Sequence, residues 1–415
     1  MHAYAIAGLV GTLAAATLIG GGLAVHHVSG PLTYSRPDAT RELGTSTSTP
    51  LAPTSTPAAP ALAEWPPELD RAAYDRALLS LADYPDAEAF AEAAAAAAQA
   101  RASTSSPTST APSTDPAPVP YAGFPPPSQL IYSSSTNVSI PGRDWPAAAP
   151  YPHGGAILPF HRVVAYYGNF YSTRMGILGE FASSTVLARL ASTSAAWEAA
   201  DPDTPVMPAI HYIAMVAQGD AGSDGMYRNV MPDAHIERAY DMTQAIDGIM
   251  FLDLQVGLST IERELPQFRS YFTRPDVHLA IDPEFSMKDG TPPGLAIGTY
   301  TAADINFTID WLSEIVREHE LPPKILVVHR FTTNMVQDYA AIKPTPEVQV
   351  VIHMDGWGSR DLKRSTYRRV VEPEPVQFAG LKIFYKNDLK PPSTGLFSPE
   401  EALELHPEPV YIQYQ

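Results

Sequence analysis

Residues 324–331 read Lys-Ile-Leu-Val-Val-His-Arg-Phe, a short apolar run that ends in polar side chains. Runs of the same kind recur seven more times, at 162–169, 206–214, 248–256, 277–285, 348–358, 378–388 and 410–415. Segments with helical patterns lie between them. Eight buried strands that alternate with helices predict a (β/α)8 barrel, a TIM barrel whose functional site lies at the carboxyl ends of the strands.

Helix-start signals occur where this fold needs helices. Thr301 and Asp304 form a near capping box, which predicts a helix over 301–320 that Pro322 and Pro323 terminate. Ser398 followed by Pro399 predicts a second helix start. A third helix is expected over 232–246, because its apolar residues recur at helical spacing.

The first 150 residues have a different composition. Residues 3–25 are apolar and uncharged, so we expect 1–27 to be a signal peptide or membrane anchor. Residues 28–150 are rich in Pro, Ser, Thr and Ala and predict a mostly disordered stalk. A helical island is expected at 66–101, broken at Pro85, either as a partner-docking helix or as a spacer or brace on the barrel. The barrel domain is then expected over 151–415, exported and either extracellular or anchored facing outward.

Charge and cysteine content exclude several classes of function. The net charge of −18 argues against nucleic acid and anionic membrane surfaces as partners, so membrane contact is expected only through the N-terminal segment. The chain has no cysteine, which excludes thiol nucleophiles, disulfides and cysteine-ligated metal sites.

Acidic residues follow three of the predicted strands. Because residues i and i+2 of a strand face the same way, Asp282 pairs with Glu284 at the end of the fourth strand. Asp253 and Asp355 stand at the ends of the third and sixth strands, so all four carboxylates are expected to converge at the barrel mouth. Carboxylates that meet in a partly buried site raise one another's pKa, which keeps one of them protonated as an acid. Glu284, Asp282, Asp253 and Asp355 are therefore the candidate catalytic residues, in an arrangement that suits glycosidic bond cleavage.

The run 277–285, Val-His-Leu-Ala-Ile-Asp-Pro-Glu-Phe, carries a resemblance. Its Asp-x-Glu at the end of the fourth strand resembles the signature of family 18 chitinases and family 25 lysozymes, both (β/α)8 barrels. The resemblance implies that Glu284 is the general acid and Asp282 its partner. The earlier aspartates of the chitinase pattern are replaced by Val277 and Ala280, and the lysozyme pattern's strand-one aspartate is missing. The whole chain also resembles exported proteins of high-GC bacteria, which implies no activity.

Other strand ends offer the aromatic rings and amides typical of carbohydrate sites. The candidate substrate-binding residues are Tyr167, Asn169, His211, Gln255, His329, Trp357, Lys386 and Gln413. The leading hypothesis is an exported glycoside-hydrolase-like barrel that acts on or binds a cell-wall or extracellular glycan, with no cofactor.

Three alternatives stay open. The first is a metal-dependent hydrolase that uses His329, His353, Asp355, Asp253 and His211. The second makes Lys386 a Schiff-base lysine, with Lys382 as the neighbouring lysine on the same strand. The third is a stalk-mounted surface module that binds a glycan without catalysis.

Overall fold

The structure is a computed structural model that describes residues 65–85, 87 and 123–415. The expected signal or anchor segment at 1–27, most of the stalk and the second half of the helical island lie outside the described residues. Within the described ranges, no helix is long and apolar enough to cross a membrane.

Eight parallel strands form a closed barrel. Each pairs with the next along the chain, and β1 also pairs with β8, which closes the ring. The strands are β1 Arg162–Gly168, β2 Val206–Ala217, β3 Ile249–Leu254, β4 Val277–Ile281, β5 Lys324–Arg330, β6 Val348–Met354, β7 Phe378–Ile383 and β8 Tyr411–Tyr414. The predicted barrel and its eight strands are confirmed. Short strands lie outside it at Arg228–Val230, Tyr300–Thr301 and Val336–Gln337.

Helices cover the outer face of the barrel, and one precedes it. They are α1 Arg71–Ser80, α2 Ile177–Glu180, α3 Ser183–Ala200, α4 Asp233–Gln244, α5 Ile261–Glu264, α6 Arg269–Phe272, α7 Ala302–Glu318, α8 Arg360–Val370 and α9 Pro399–Leu403. The capping box at Thr301 and Asp304 is present, and Ser398 forms a second one with Glu401. Local capping chemistry therefore predicted these helix starts correctly.

The lower half of the barrel interior, at the amino ends of the strands, is mainly apolar. Val163, Ile325, Val327 and Val351 meet there, all without solvent exposure. Beneath them pack side chains from α1 and from the segment 123–160, among them Tyr74, Leu78, Leu79, Leu130, Val138, Ile140 and Leu158. Together these residues plug the amino end of the barrel.

Part of the segment predicted as a stalk packs on the barrel through this plug. Asp75 of α1 accepts hydrogen bonds from the Val138 amide at 2.9 Å and the Tyr151 hydroxyl at 2.6 Å. Trp145 donates from Nε1 to the Glu372 carbonyl at 2.9 Å. The physical reason is that a few dispersed apolar residues suffice to anchor a segment whose average composition is that of a linker.

Candidate active site

Alternate residues of the strands point into the barrel, and near the carboxyl ends these residues are polar. Tyr167 on β1 and His329 on β5 stand on opposite sides of the barrel, yet their ring centroids are 6.3 Å apart, and His211 on β2 lies 5.6 Å from His329. We call this set the polar cluster: Tyr167, His211, Asp253, Gln255, Asp282, His329, His353, Asp355, Lys382, Tyr411 and Gln413, all buried, with Glu284 at its rim.

Asp253 on β3 lies between two histidines. Its Oδ2 is 3.4 Å from His211 Nε2 and 3.6 Å from His329 Nε2. His329 Nδ1 is 3.0 Å from Asp355 Oδ2, and His211 Nδ1 is 2.5 Å from the Tyr411 hydroxyl. Among the described residues, His211, Asp253 and His329 are the three whose donor atoms are close enough to share a metal ion.

The end of β4 positions Asp282 and Glu284 differently. A 3-10 turn, Pro283–Phe285, follows the strand, and the Asp282 side chain caps it by accepting the Glu284 amide at 3.0 Å. Gln255 Nε2 lies 3.4 Å from the other Asp282 oxygen. Asp282 is thus held inside the polar cluster, whereas Glu284 stands half-buried at the mouth, where a substrate can reach it.

Burial and charge repulsion favour the protonated forms of Asp282 and Glu284. Burial, followed by repulsion from Asp355, raises the pKa of Glu284 to about 7. Burial, followed by repulsion from Glu284, Asp355 and Asp253, raises the pKa of Asp282 well above its usual value. A carboxyl group with a pKa near neutrality can donate a proton at physiological pH, as a general acid must.

The surroundings of Asp253, in contrast, favour its ionised form. Burial alone would raise its pKa, but His329, His211 and Lys382 together hold it below the usual value. Burial lowers the pKa of His211 to about 4, against the attraction of Asp253. The polar cluster therefore contains a deep carboxylate that is ionised and a carboxyl pair nearer the mouth that retains protons.

The structure brings Lys382 into the polar cluster, whereas Lys386 lies outside the cluster. Lys386 lies beyond the end of β7, is largely exposed, and pairs with Glu180 at 2.6 Å. Lys382 is buried, with its Nζ 3.8 Å from the Tyr167 ring centroid. Burial lowers the pKa of Lys382, whereas four carboxylates, at Asp355, Asp282, Asp253 and Glu284, raise it.

The remaining predicted residues divide between the polar cluster and its surroundings. Tyr167, His211, Gln255, His329 and Gln413 are members of the cluster. Asn169 has a different place, since its side chain donates to the Ile213 carbonyl at 3.0 Å and accepts the Tyr171 amide at 2.8 Å, which fixes the loop after β1. Trp357 is 41% exposed on the loop after β6, with Lys390 Nζ 5.0 Å from its ring centroid.

Three cluster members were not among the predicted site residues: Tyr411 was not named, and His353 and Lys382 appeared only in the alternative hypotheses. Tyr411 precedes Gln413 by two positions on β8, and His353 precedes Asp355 by two on β6, so strand alternation alone points both pairs into the barrel. The ring of His353 lies 5.1 Å from that of His329 and 4.9 Å from that of Tyr411.

Comparisons with known proteins do not identify a family for this chain. No protein-family model matches the chain, and no curated protein sequence matches it. Among solved structures, one described as "Cellulase Cel5C_n" is similar with a TM-score of 0.31 and 13% sequence identity, over 60% of this chain and 69% of that chain. This degree of similarity supports neither a family nor an activity.

Proposed function

We propose that the barrel is a hydrolase that cleaves glycosidic bonds of an extracellular or cell-wall glycan by carboxylate acid/base chemistry. The observation that carries the proposal is Glu284, a half-buried carboxyl at the barrel mouth with its pKa raised to about 7 beside Asp282 and Asp355. Glu284 is the general acid that protonates the leaving oxygen. Asp282 is its positioning residue, because the Asp282 side chain accepts the Glu284 amide and caps the turn that carries the Glu284 carboxyl.

The second carboxylate of the reaction is Asp355. Asp253 is fully buried between two histidines, whereas Asp355 is 8% exposed and has one oxygen, Oδ1, without a hydrogen-bond partner. His329 donates to the other oxygen and orients the group. Asp355 is thus the candidate nucleophile or base, and Trp357 beyond it supplies an exposed ring on which a sugar can stack.

Residues 1–27 direct export in this proposal, which would bring the barrel to a glycan outside the cell. Its support is the uncharged apolar run at 3–25 followed by the Pro/Ser/Thr/Ala-rich stretch. A fusion of residues 1–60 to a reporter that is active only after export tests it, with a charged substitution in the apolar run as control.

The mechanism is tested by comparing two leaving groups. The full chain is screened against polysaccharides and aryl glycosides, and Glu284→Gln is compared with Glu262→Gln, a change at an exposed glutamate. We expect Glu284→Gln to lose about 10²–10⁴-fold on a substrate with a poor leaving group and much less on a dinitrophenyl glycoside, which departs without protonation.

Two outcomes would contradict the proposal. Equal losses on both substrates would remove the general-acid role of Glu284. Saturable glycan binding with no turnover by the native protein would instead make the barrel a binding module.

A further inference from the structure

The deepest part of the polar cluster contains three side chains, of which the proposed acid/base reaction uses only the Nδ1 of His329. His211, Asp253 and His329 come from three different strands, β2, β3 and β5, and all are fully buried. Their facing atoms are His211 Nε2, Asp253 Oδ2 and His329 Nε2, all within 4.8 Å of one another. We call these three residues the His–Asp–His triad.

The facing atoms have no hydrogen-bond partners. His211 Nε2, His329 Nε2 and both carboxylate oxygens of Asp253 are buried and unpaired among the described residues. Buried polar atoms are almost always hydrogen-bonded, and a buried carboxylate without partners is especially costly. Three of these atoms, Asp253 Oδ2 and the two Nε2 nitrogens 3.4 and 3.6 Å from it, lie close together, which is an arrangement that a bound ligand would satisfy.

The outward-facing nitrogens of the two histidines are anchored. His329 Nδ1 contacts Asp355 Oδ2 at 3.0 Å, and His211 Nδ1 contacts the Tyr411 hydroxyl at 2.5 Å and Gln413 Nε2 at 3.0 Å. A carboxylate on the far nitrogen of a histidine is the usual support of a metal-ligating imidazole, because it fixes the tautomer that presents a lone pair to the ion. For His211 the same tautomer requires the Tyr411 oxygen to accept the Nδ1 proton. It also requires the Gln413 amide to present its unpartnered Oε1 to that nitrogen in place of Nε2, which can only donate.

The charge around the triad also suits a cation. Asp253, Asp282, Glu284 and Asp355 all interact with a single lysine, Lys382. Two of these carboxylates, Asp253 and Asp355, lie within 3.6 Å of the triad histidines, and a divalent ion would offset their negative charge in this buried space.

We propose that the His–Asp–His triad binds one divalent metal ion, with zinc as the best fit. Two imidazole nitrogens and one carboxylate oxygen are a donor set that zinc accepts. With bonds of about 2.0–2.2 Å, two ligand atoms of a tetrahedral zinc ion lie about 3.3–3.5 Å apart. The two nitrogens are 3.4 and 3.6 Å from the Asp253 oxygen. The site goes beyond the proposed function, whose carboxylate chemistry requires no metal.

Metal binding is tested on the full chain, purified without a histidine tag and with His26 and His27 changed to serine. The stripped protein is titrated with Co(II), followed by its visible absorption, and with Zn(II), followed by calorimetry and elemental analysis. We expect one ion per chain, a Co(II) spectrum typical of tetrahedral N/O coordination, and a rise in melting temperature on loading.

Substitutions then locate the site. His329→Gln and Asp253→Asn should weaken binding by at least about 100-fold, and Tyr411→Phe, which removes only a hydroxyl outside the triad, by about 10–100-fold. The matched control is His278→Gln, an equally buried interior histidine whose Nδ1 accepts the Ile325 amide at 3.0 Å, and it should leave affinity unchanged.

Absence of stoichiometric metal in the native protein would overturn the proposal and make the triad a buried ion-pair network. So would equal affinity in native protein, Tyr411→Phe and Asp253→Asn. If the His329 variant does not fold, Tyr411→Phe still decides the question. Because the readout is binding, failure here and failure of glycan hydrolysis are separate results.

Discussion

The two halves of the barrel interior are built from the same eight strands, but their buried polar side chains differ in how fully they are hydrogen-bonded. In the lower half, Gln349 accepts the Leu158 amide at 3.2 Å and donates to the Leu158 carbonyl at 2.6 Å. In the upper half, both oxygens of Asp253 and the facing nitrogens of His211 and His329 have no partner. In the described part of the chain, the lower half leaves only separate atoms such as His278 Nε2 unpaired, whereas the upper half brings several unpaired atoms together around Asp253, where a ligand could satisfy them.

This difference assigns stability to one half and function to the other. The amino end is closed by α1 and the segment 123–160, so its residues are placed to hold the barrel together. The carboxyl end concentrates carboxylates whose raised pKa values record unfavourable burial, which a protein retains where chemistry or binding needs it.

The largest expected effect is on stability in the lower half. Ile325→Ala removes a fully buried side chain above the plug and should lower the free energy of unfolding by about 2–5 kcal/mol. Denaturant melts measure the loss, and activity per folded molecule should be unchanged. A large loss of specific activity at full folding would break the division between the two halves.

A matched pair of glutamines sharpens the comparison. Gln349→Leu should cost about 1–3 kcal/mol, because it leaves the buried Leu158 amide and carbonyl unpaired. The same substitution at Gln413 removes the contacts of Nε2 with His211 Nδ1 and the Tyr411 hydroxyl. It also removes a buried Oε1 that has no partner, so it should cost less. The measurement is the difference between the two unfolding free energies at one pH, and equal costs would contradict the comparison.

The sequence predicted the regular part of this picture. Strand periodicity and helix caps are local properties, so β1 to β8 and the capping boxes at Thr301 and Ser398 followed from a few neighbouring residues each. Strand alternation also brought Asp253, Asp282 and Asp355 to the carboxyl end of the barrel, where the structure has them.

The positions of the two lysines and of the plug depended on where each strand ends and on long-range packing. β7 ends at Ile383, so Lys386 lies past the strand and alternation no longer fixes its direction, whereas Lys382 pairs in register with Gln413. A brace on the barrel was one interpretation of the helical island, but the packing of residues 123–150 was not predicted. Val138 is buried by contacts with residues far along the chain, which no local window contains.

The two lysines give the next prediction. Lys382 lowers the pKa of Glu284, so Lys382→Gln should move the alkaline limb of hydrolysis to higher pH by about 1 unit. Lys386→Gln should leave the profile unchanged, because its partner is Glu180 on the surface. The pH dependence of kcat/KM is measured for both variants. A shift with Lys386→Gln alone would mean that Lys386, and not Lys382, is the lysine that acts on Glu284. An adduct trapped by borohydride on Lys382 would point to Schiff-base chemistry instead.

The smallest expected effect is on the stability of the upper half. Burial raises the pKa of Glu284 from 4.5 to about 7, so the folded protein binds a proton more tightly than the unfolded chain does. The stability that this carboxyl contributes is fully present below pH of about 4.5 and is lost as the pH rises to about 7. Glu284→Gln cannot ionise, so its unfolding free energy relative to the native protein should rise across that window. Solvent screening at the mouth reduces the gain to on the order of 1 kcal/mol. Urea melts of both proteins from pH 4 to 8 measure the difference, and a difference that stays flat or falls with pH would mean that Glu284 is ionised without cost.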